Sequence, residues 1–144
     1  MTAKEYLGQA YRLDQRINNK LQQIEQLRSL AEKVTVSYGG EAVSHTRNVS
    51  SMEDTIIHLM EAENEIKLQI DELVNLKLQI GKLIDQVHNE TYRLILEKRY
   101  LCFLSWNQIA EDMNYSRRWV EIKHARALEV VDRLLQKQAS SDQF

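Results

Sequence analysis

Residues 59–87 read LMEAENEIKLQIDELVNLKLQIGKLIDQV, and Leu59, Ile66, Leu73, Ile80 and Val87 stand in this stretch at every seventh position. A seven-residue apolar repeat keeps one side of an α-helix apolar turn after turn, so the stretch predicts a long helix with a coiled-coil-like seam. Ala62, Leu76 and Leu83 are companion positions of the seam, and Ile56, Ile70 and Ile84 widen it. Gln69 stands in the seam where an apolar residue is expected, and both a register-setting polar group and a tolerated polar substitution fit it. Ser50 followed by Glu53 has the spacing of a capping box, which places the start of the helix near Ser50 or Ser51. At about 1.5 Å per residue, roughly 35 residues make a rod about 50 Å long, which needs a partner to lie against.

That partner is found towards the N-terminus. Tyr6, Ala10, Leu13, Ile17, Leu21, Ile24, Leu27, Ala31 and Val34 recur with gaps of three and four, the pattern of one long amphipathic helix. Between Thr35 and Ser50 the period is lost around Gly39 and Gly40, which marks the connector. Val34, Val36 and Tyr38 alternate before the glycines, so a small hairpin is open there, with a plain loop the simpler reading. The expectation is an antiparallel helical hairpin over residues 1–88, looping at about 35–50. Two helices alone leave much of a broad apolar stripe wet, so two copies of the chain are expected to pair through Leu59, Ile66, Leu73, Ile80 and Val87.

Beyond Asn89, a good N-cap, the seven-residue pattern stops and residues 89–144 read as a second domain. Arg93 to Tyr100 suggest a helix of about three turns, and Leu101 to Leu104 an apolar corner. Ser105 and Gln108 form a second capping box, opening a short helix whose buried side is Ile109, Ala110 and Met113. The chain turns at Asn114 and Tyr115, and Ser116 caps a final helix from Arg117 to about Gln136. This is a helix-turn-helix. Ala110 is small where the helices cross, Asn114 suits a left-handed backbone, and Tyr115 and Val120 are expected to fill the core between them. The fold class read from the sequence is therefore all-α: a long helical hairpin followed by a small three-helix unit.

Composition narrows the function. The absence of proline, with only 4 glycines in 144 residues, argues against sandwiches and barrels, which turn every dozen residues or so. No apolar run approaches a membrane span, and Met1 to Ala10 lacks the marks of a secretory leader, so a cytoplasmic protein without a membrane partner is expected. Cys102 is the single cysteine, and between Leu101 and Phe103 it reads as a small buried hydrophobe. His45, His58, His88 and His124 have no ligand spacing, so no metal site is expected and they read as structural or surface residues. No phosphate loop, nucleophile elbow or acid and base pair is present, so neither an enzyme, a cofactor nor a small-molecule substrate is expected.

The net charge of -2 conceals a split. Residues 1–90 hold ten Lys and Arg against fourteen Asp and Glu, whereas residues 91–144 hold nine against seven. Arg117 and Arg118 open the final helix, where the helix dipole favours acids, so their placement points to a phosphate-bearing partner: double-stranded DNA. Arg117, Arg118, Glu121 and Ile122 are the candidate base contacts, arginine matching guanine, glutamate a cytosine amino group and isoleucine a thymine methyl. Ser116, Lys98, Arg99, Lys123 and Arg126 are the candidate phosphate contacts. Trp106 reads as interhelix packing, and Trp119 is open between partner contact and packing.

The runs from Tyr92 to Tyr100, Ser105 to Ala110, Tyr115 to Val120 and Arg126 to Leu128 resemble the phage transcriptional regulators of the ArpU and RinA type. The C-terminal domain of that family is similar to region four of bacterial sigma factors. The resemblance extends to the leader around Ser37 to Gly40 and Ser44 to Asn48. It implies an activator of late phage genes, and activation would require contact with the host RNA polymerase. Lys123 departs from it, standing where relatives carry an aliphatic core residue, which is accommodated if its stem covers the core and its ammonium reaches water. Two rival readings are a small-terminase-like DNA-packaging adaptor, which would form a ring, and a structural coiled-coil protein that binds protein.

Overall fold

The computed structural model describes residues 1–37 and 45–142, with the backbone alone for 34–37 and 45–51. The fold is all-α. Helix α1 spans Ala3–Ser37, α2 spans His45–Asp85, α3 spans Glu90–Leu96 and continues into a π-helical turn at Glu97–Leu101, α4 spans Trp106–Met113 and α5 spans Arg117–Ser141. Helix α2 thus begins at His45, and Ser50 and Glu53 lie inside it. A helical period broken by small polar residues hid that first turn. Val34 and Val36 are helical, so no hairpin strand forms over them, and Tyr38 to Ser44 lie outside the described residues.

The chain divides into two compact units, and the division does not fall at residue 88. One unit joins Met1–Leu13 to Leu73–Phe144, and the other is Asp14–Glu72. The physical reason is a shared core. Leu7 and Ala10 of α1, Ile80, Ile84 and Val87 of α2, Leu96 and Tyr100, and Ala127 and Val131 of α5 form one buried cluster. The first turns of α1 and the last turns of α2 therefore belong with the C-terminal helices. Asp132 on α5 fastens the start of α1, its Oδ1 accepting from the Ala3 N–H at 2.8 Å, a donor that the helix itself leaves without a partner.

A second cluster in the same unit holds Ile95, Ile109, Ala110 and Val120, with Leu104, Trp106, Met113 and Trp119 packed against it. It is the three-helix core read from the sequence. Helix α5 contributes to both clusters because Val120, His124, Ala127 and Val131 recur at helical spacing along one face.

In the unit Asp14–Glu72, Ile17, Ile24 and Ile66 are buried. Ion pairs join Lys20 to Glu65 and Arg28 to Glu63, advancing along α1 while receding along α2, as an antiparallel pair requires. The seam is turned inward. Ile66, Ile80 and Val87 are buried within the chain itself, and Leu59 and Leu73 are half-buried. Ile66, Ile80 and Val87 are therefore not a free surface for a second copy, and Leu59 and Leu73 are partly covered. A repeat identifies the apolar side of a helix but not whether a neighbour or another copy covers it. Gln69, in the same seam, is half-buried with its Oε1 enclosed and without a hydrogen-bond partner among the described residues. Leu21, Leu27, Leu30, Ile57, Met60 and Leu68 remain exposed. No helix among the described residues is long and apolar enough to cross a membrane.

Candidate nucleic-acid interface

Local chemistry builds the helix-turn-helix. Ser105 Oγ accepts from the Gln108 N–H at 3.2 Å, while the Gln108 side chain accepts from the Ser105 N–H at 2.9 Å, completing the capping box that starts α4. Helix α4 ends at Asn114, whose φ of 58° lies in the left-handed region as its residue type predicts. The next N–H, that of Tyr115, returns to the Ala110 carbonyl at 3.1 Å. Ser116 then caps α5, its Oγ accepting from the Trp119 N–H at 3.1 Å.

With Val120, Ala127 and Val131 buried, the opposite side of α5 is open to solvent over Arg117, Arg118, Glu121, Ile122, Ala125 and Arg126. All four candidate base contacts thus lie on one strip. Arg117 Nε donates to Glu121 Oε1 at 2.9 Å and its NH1 to Asn107 Oδ1 at 3.3 Å, which ties α4 to α5 at the surface. Arg118 has neither an ion pair nor a hydrogen bond among the described residues. The Arg117–Glu121 pair is exposed at both ends, so it contributes little to stability and is easily exchanged for another partner.

The candidate phosphate contacts divide. Ser116 and Arg126 are exposed, although the Ser116 hydroxyl is engaged in its cap. Lys98 pairs with Asp112 at 3.5 Å. Arg99 is half-buried, donating from NH1 to the Leu104 carbonyl at 2.9 Å and lying 4.5 Å from the Trp106 ring. It acts on the fold and not on the open strip, because the π-helical turn carries it inward. Lys123 is half-buried, with its ammonium 5.6 Å from the Trp119 ring centroid, which is the snorkelling arrangement its position demands.

Tyr115 is 52% exposed instead of filling the core, because it stacks on Trp119 at 3.7 Å and caps that ring from outside. Cys102 is exposed, since the corner that carries it turns outward between α3 and α4. His124 is buried and structural. It shares a hydrogen bond of 2.6 Å with the Tyr100 hydroxyl and meets Trp106 edge-on at 4.4 Å. Burial, aided by the charges of Arg99 and Lys4, lowers its pKa to about 4, and burial raises that of Tyr100 to about 12. Asn107 and the Tyr100–His124 pair escaped the sequence reading because each depends on contacts between helices. Among the described residues, no group of His, Cys, Asp and Glu is placed to hold a metal ion.

Fold and surface define an all-α chain whose C-terminal helices form a helix-turn-helix with one open, arginine-led strip. The chain belongs to the family described as a protein of unknown function, DUF1492, whose profile matches residues 32–132. No curated protein and no solved structure matches it.

Proposed function

We propose that the chain is a sequence-specific DNA-binding transcriptional regulator of phage or prophage origin, an activator of late genes of the ArpU and RinA type, which reads the major groove with the first turns of α5. One observation carries this reading: Arg118 stands exposed, and unpaired among the described residues, beside Arg117 at the positive end of a helix. Two cations there oppose the helix dipole, an arrangement that an incoming phosphate or guanine edge relieves. Membership of a phage-associated family agrees with the origin. Arg117, Glu121 and Ile122 supply the remaining base contacts, with Arg126 and Lys123 directed to the backbone phosphates. Activation then requires contact with the host RNA polymerase.

The small positive excess of the C-terminal helices gives one reader modest affinity, and pairing two readers raises it through effective concentration. Leu21, Leu27, Leu30, Ile57, Met60 and Leu68 are the exposed apolar residues that a second copy would cover. Gel shifts with duplexes tiling the DNA upstream of the phage late genes test the proposal. Replacing Arg117 and Arg118 together by alanine is expected to weaken specific binding by about a hundredfold or more, each base-contacting arginine being worth about 1–3 kcal/mol. Unchanged binding would refute the assignment. Sedimentation equilibrium should find a dimer at micromolar concentration; a monomer removes the pairing, and a ring of eight or more supports a packaging adaptor instead.

A further inference from the structure

The unit that carries the helix-turn-helix also holds a cavity of about 380 Å³ that shares none of the residues of the open strip on α5. One wall is the first turns of α1 and the other is the π-helical turn with the start of α4. Its charge is unbalanced. Lys4, Arg12 and Arg99 line it against a single carboxylate, Glu5, and neither Lys4 nor Arg12 has an ion-pair partner among the described residues. The field of two of these cations is felt behind the wall, where Arg99 and Lys4 help hold His124 neutral.

The rest of the lining is aromatic. Tyr11 and Phe103 meet edge to face at 5.7 Å, and Trp106 completes the surface beneath Arg99. Lys4, Arg12 and Tyr11 are exposed, while Lys77 lies over the Phe103 ring at 4.6 Å and Arg99 over that of Trp106, so a flat anion meets one open ring, the remaining aromatic edges and two exposed cations that fix its charge.

Two backbone features on this wall are uncommon. The π-helical turn is a rare geometry that gathers at functional sites, and it sets Arg99 and Tyr100. Phe103 follows with a φ of 57°, a left-handed conformation that a bulky residue seldom adopts. On the facing wall Gly8 sits inside helix α1, although a Cβ there would meet nothing within 4 Å. Packing does not require that glycine, and it leaves the floor of the cavity open.

We propose that this cavity binds a small anionic ring compound of the nucleoside monophosphate class, with its phosphoryl group on Lys4, Arg12 and Arg99 and its ring against Tyr11, Phe103 and Trp106. The volume lies at the low end of small-molecule sites, which span about 300–1,000 Å³, and so fits one nucleotide and not a polymer. The inference stands independently of DNA reading by α5.

Isothermal titration calorimetry on the full chain tests it, using AMP, GMP, CMP and UMP, each beside its nucleoside, with inorganic phosphate and a single-stranded oligonucleotide as further probes. At least one nucleotide is expected to saturate the chain with a Kd below about 1 mM, with its nucleoside and inorganic phosphate each about tenfold weaker or worse. Gly8→Leu, which extends a side chain towards the cavity from a position where a Cβ meets nothing within 4 Å, should abolish the heat without lowering the thermal midpoint. Lys4→Gln with Arg12→Gln should weaken binding about tenfold or more. The proposal is overturned if no nucleotide saturates below that concentration, or if inorganic phosphate binds as tightly as the nucleotide. Undiminished binding by Gly8→Leu also overturns it, as does tighter binding by the oligonucleotide. Because Arg117 and Arg118 are untouched in these variants, a failure here leaves the gel-shift result unaffected.

Discussion

Ile66 and Ile80 occupy equivalent positions of one seven-residue repeat on one helix, yet they sit in different interiors. Around Ile80, side chains from α1, α3, the π-helical turn and α5 close a core, and Leu7, Ile84 and Val87 beside it are almost fully enclosed. Among the described residues, the unit around Ile66 is built from α1 and α2 alone, and Leu68, two residues on, is 71% exposed. A sheet of two helices has one shared face and two outer ones, whereas a third and fourth element enclose a volume. The repeat is equally regular at both sites, so periodicity reports orientation and the number of layers decides burial.

The contrast is breakable. Ile80→Ala should cost about 4 kcal/mol in urea denaturation and Ile66→Ala about 2 kcal/mol, within the range for truncating buried aliphatic side chains. Equal losses in dilute solution would show that the two interiors are equally closed. The next largest effect concerns acid. His124 titrates at about 4 in the folded chain against 6.5 when free, so the unfolded chain takes up the proton first. Its contribution is therefore complete above pH 6.5 and declines as the pH falls towards 4, by an amount on the order of 3 kcal/mol. A His124→Gln chain should lose correspondingly less stability over that window when the two are melted side by side. Gln69→Leu gives the smallest change and the opposite sign: it removes an enclosed acceptor without a partner and should stabilise the two-helix unit by about 1–2 kcal/mol in thermal unfolding.

Much of the architecture was legible because it rests on local rules. The capping pair Ser105 and Gln108, the left-handed Asn114, the Ser116 cap and the strip from Arg117 to Arg126 follow from residue types a few positions apart. What escaped depends on distant contacts. Nothing within residues 1–13 announces that Leu7 and Ala10 join Val131 in one compact unit. Phe103 adopts a conformation its residue type disfavours, hence neither the widened turn nor the exposure of Cys102 was foreseeable from the apolar run Leu101 to Leu104. The place of Tyr115 in the motif points to the core, but the Trp119 ring packs there and Tyr115 stacks on its outer side. Arg99 was read by charge alone, and the π-helical turn redirects it.

Helix α5 is anchored twice, through Val120 in one cluster and through Ala127 and Val131 in the other, while Arg118, Ile122, Ala125 and Arg126 touch neither. The residues that hold the helix and those that face solvent are thus separate sets on opposite sides of one cylinder. Substitutions on the outer set leave the folding energy nearly unchanged, typically within about 0.5 kcal/mol. The outer strip can therefore change in sequence while the same scaffold is inherited, without a compensating change in the interior.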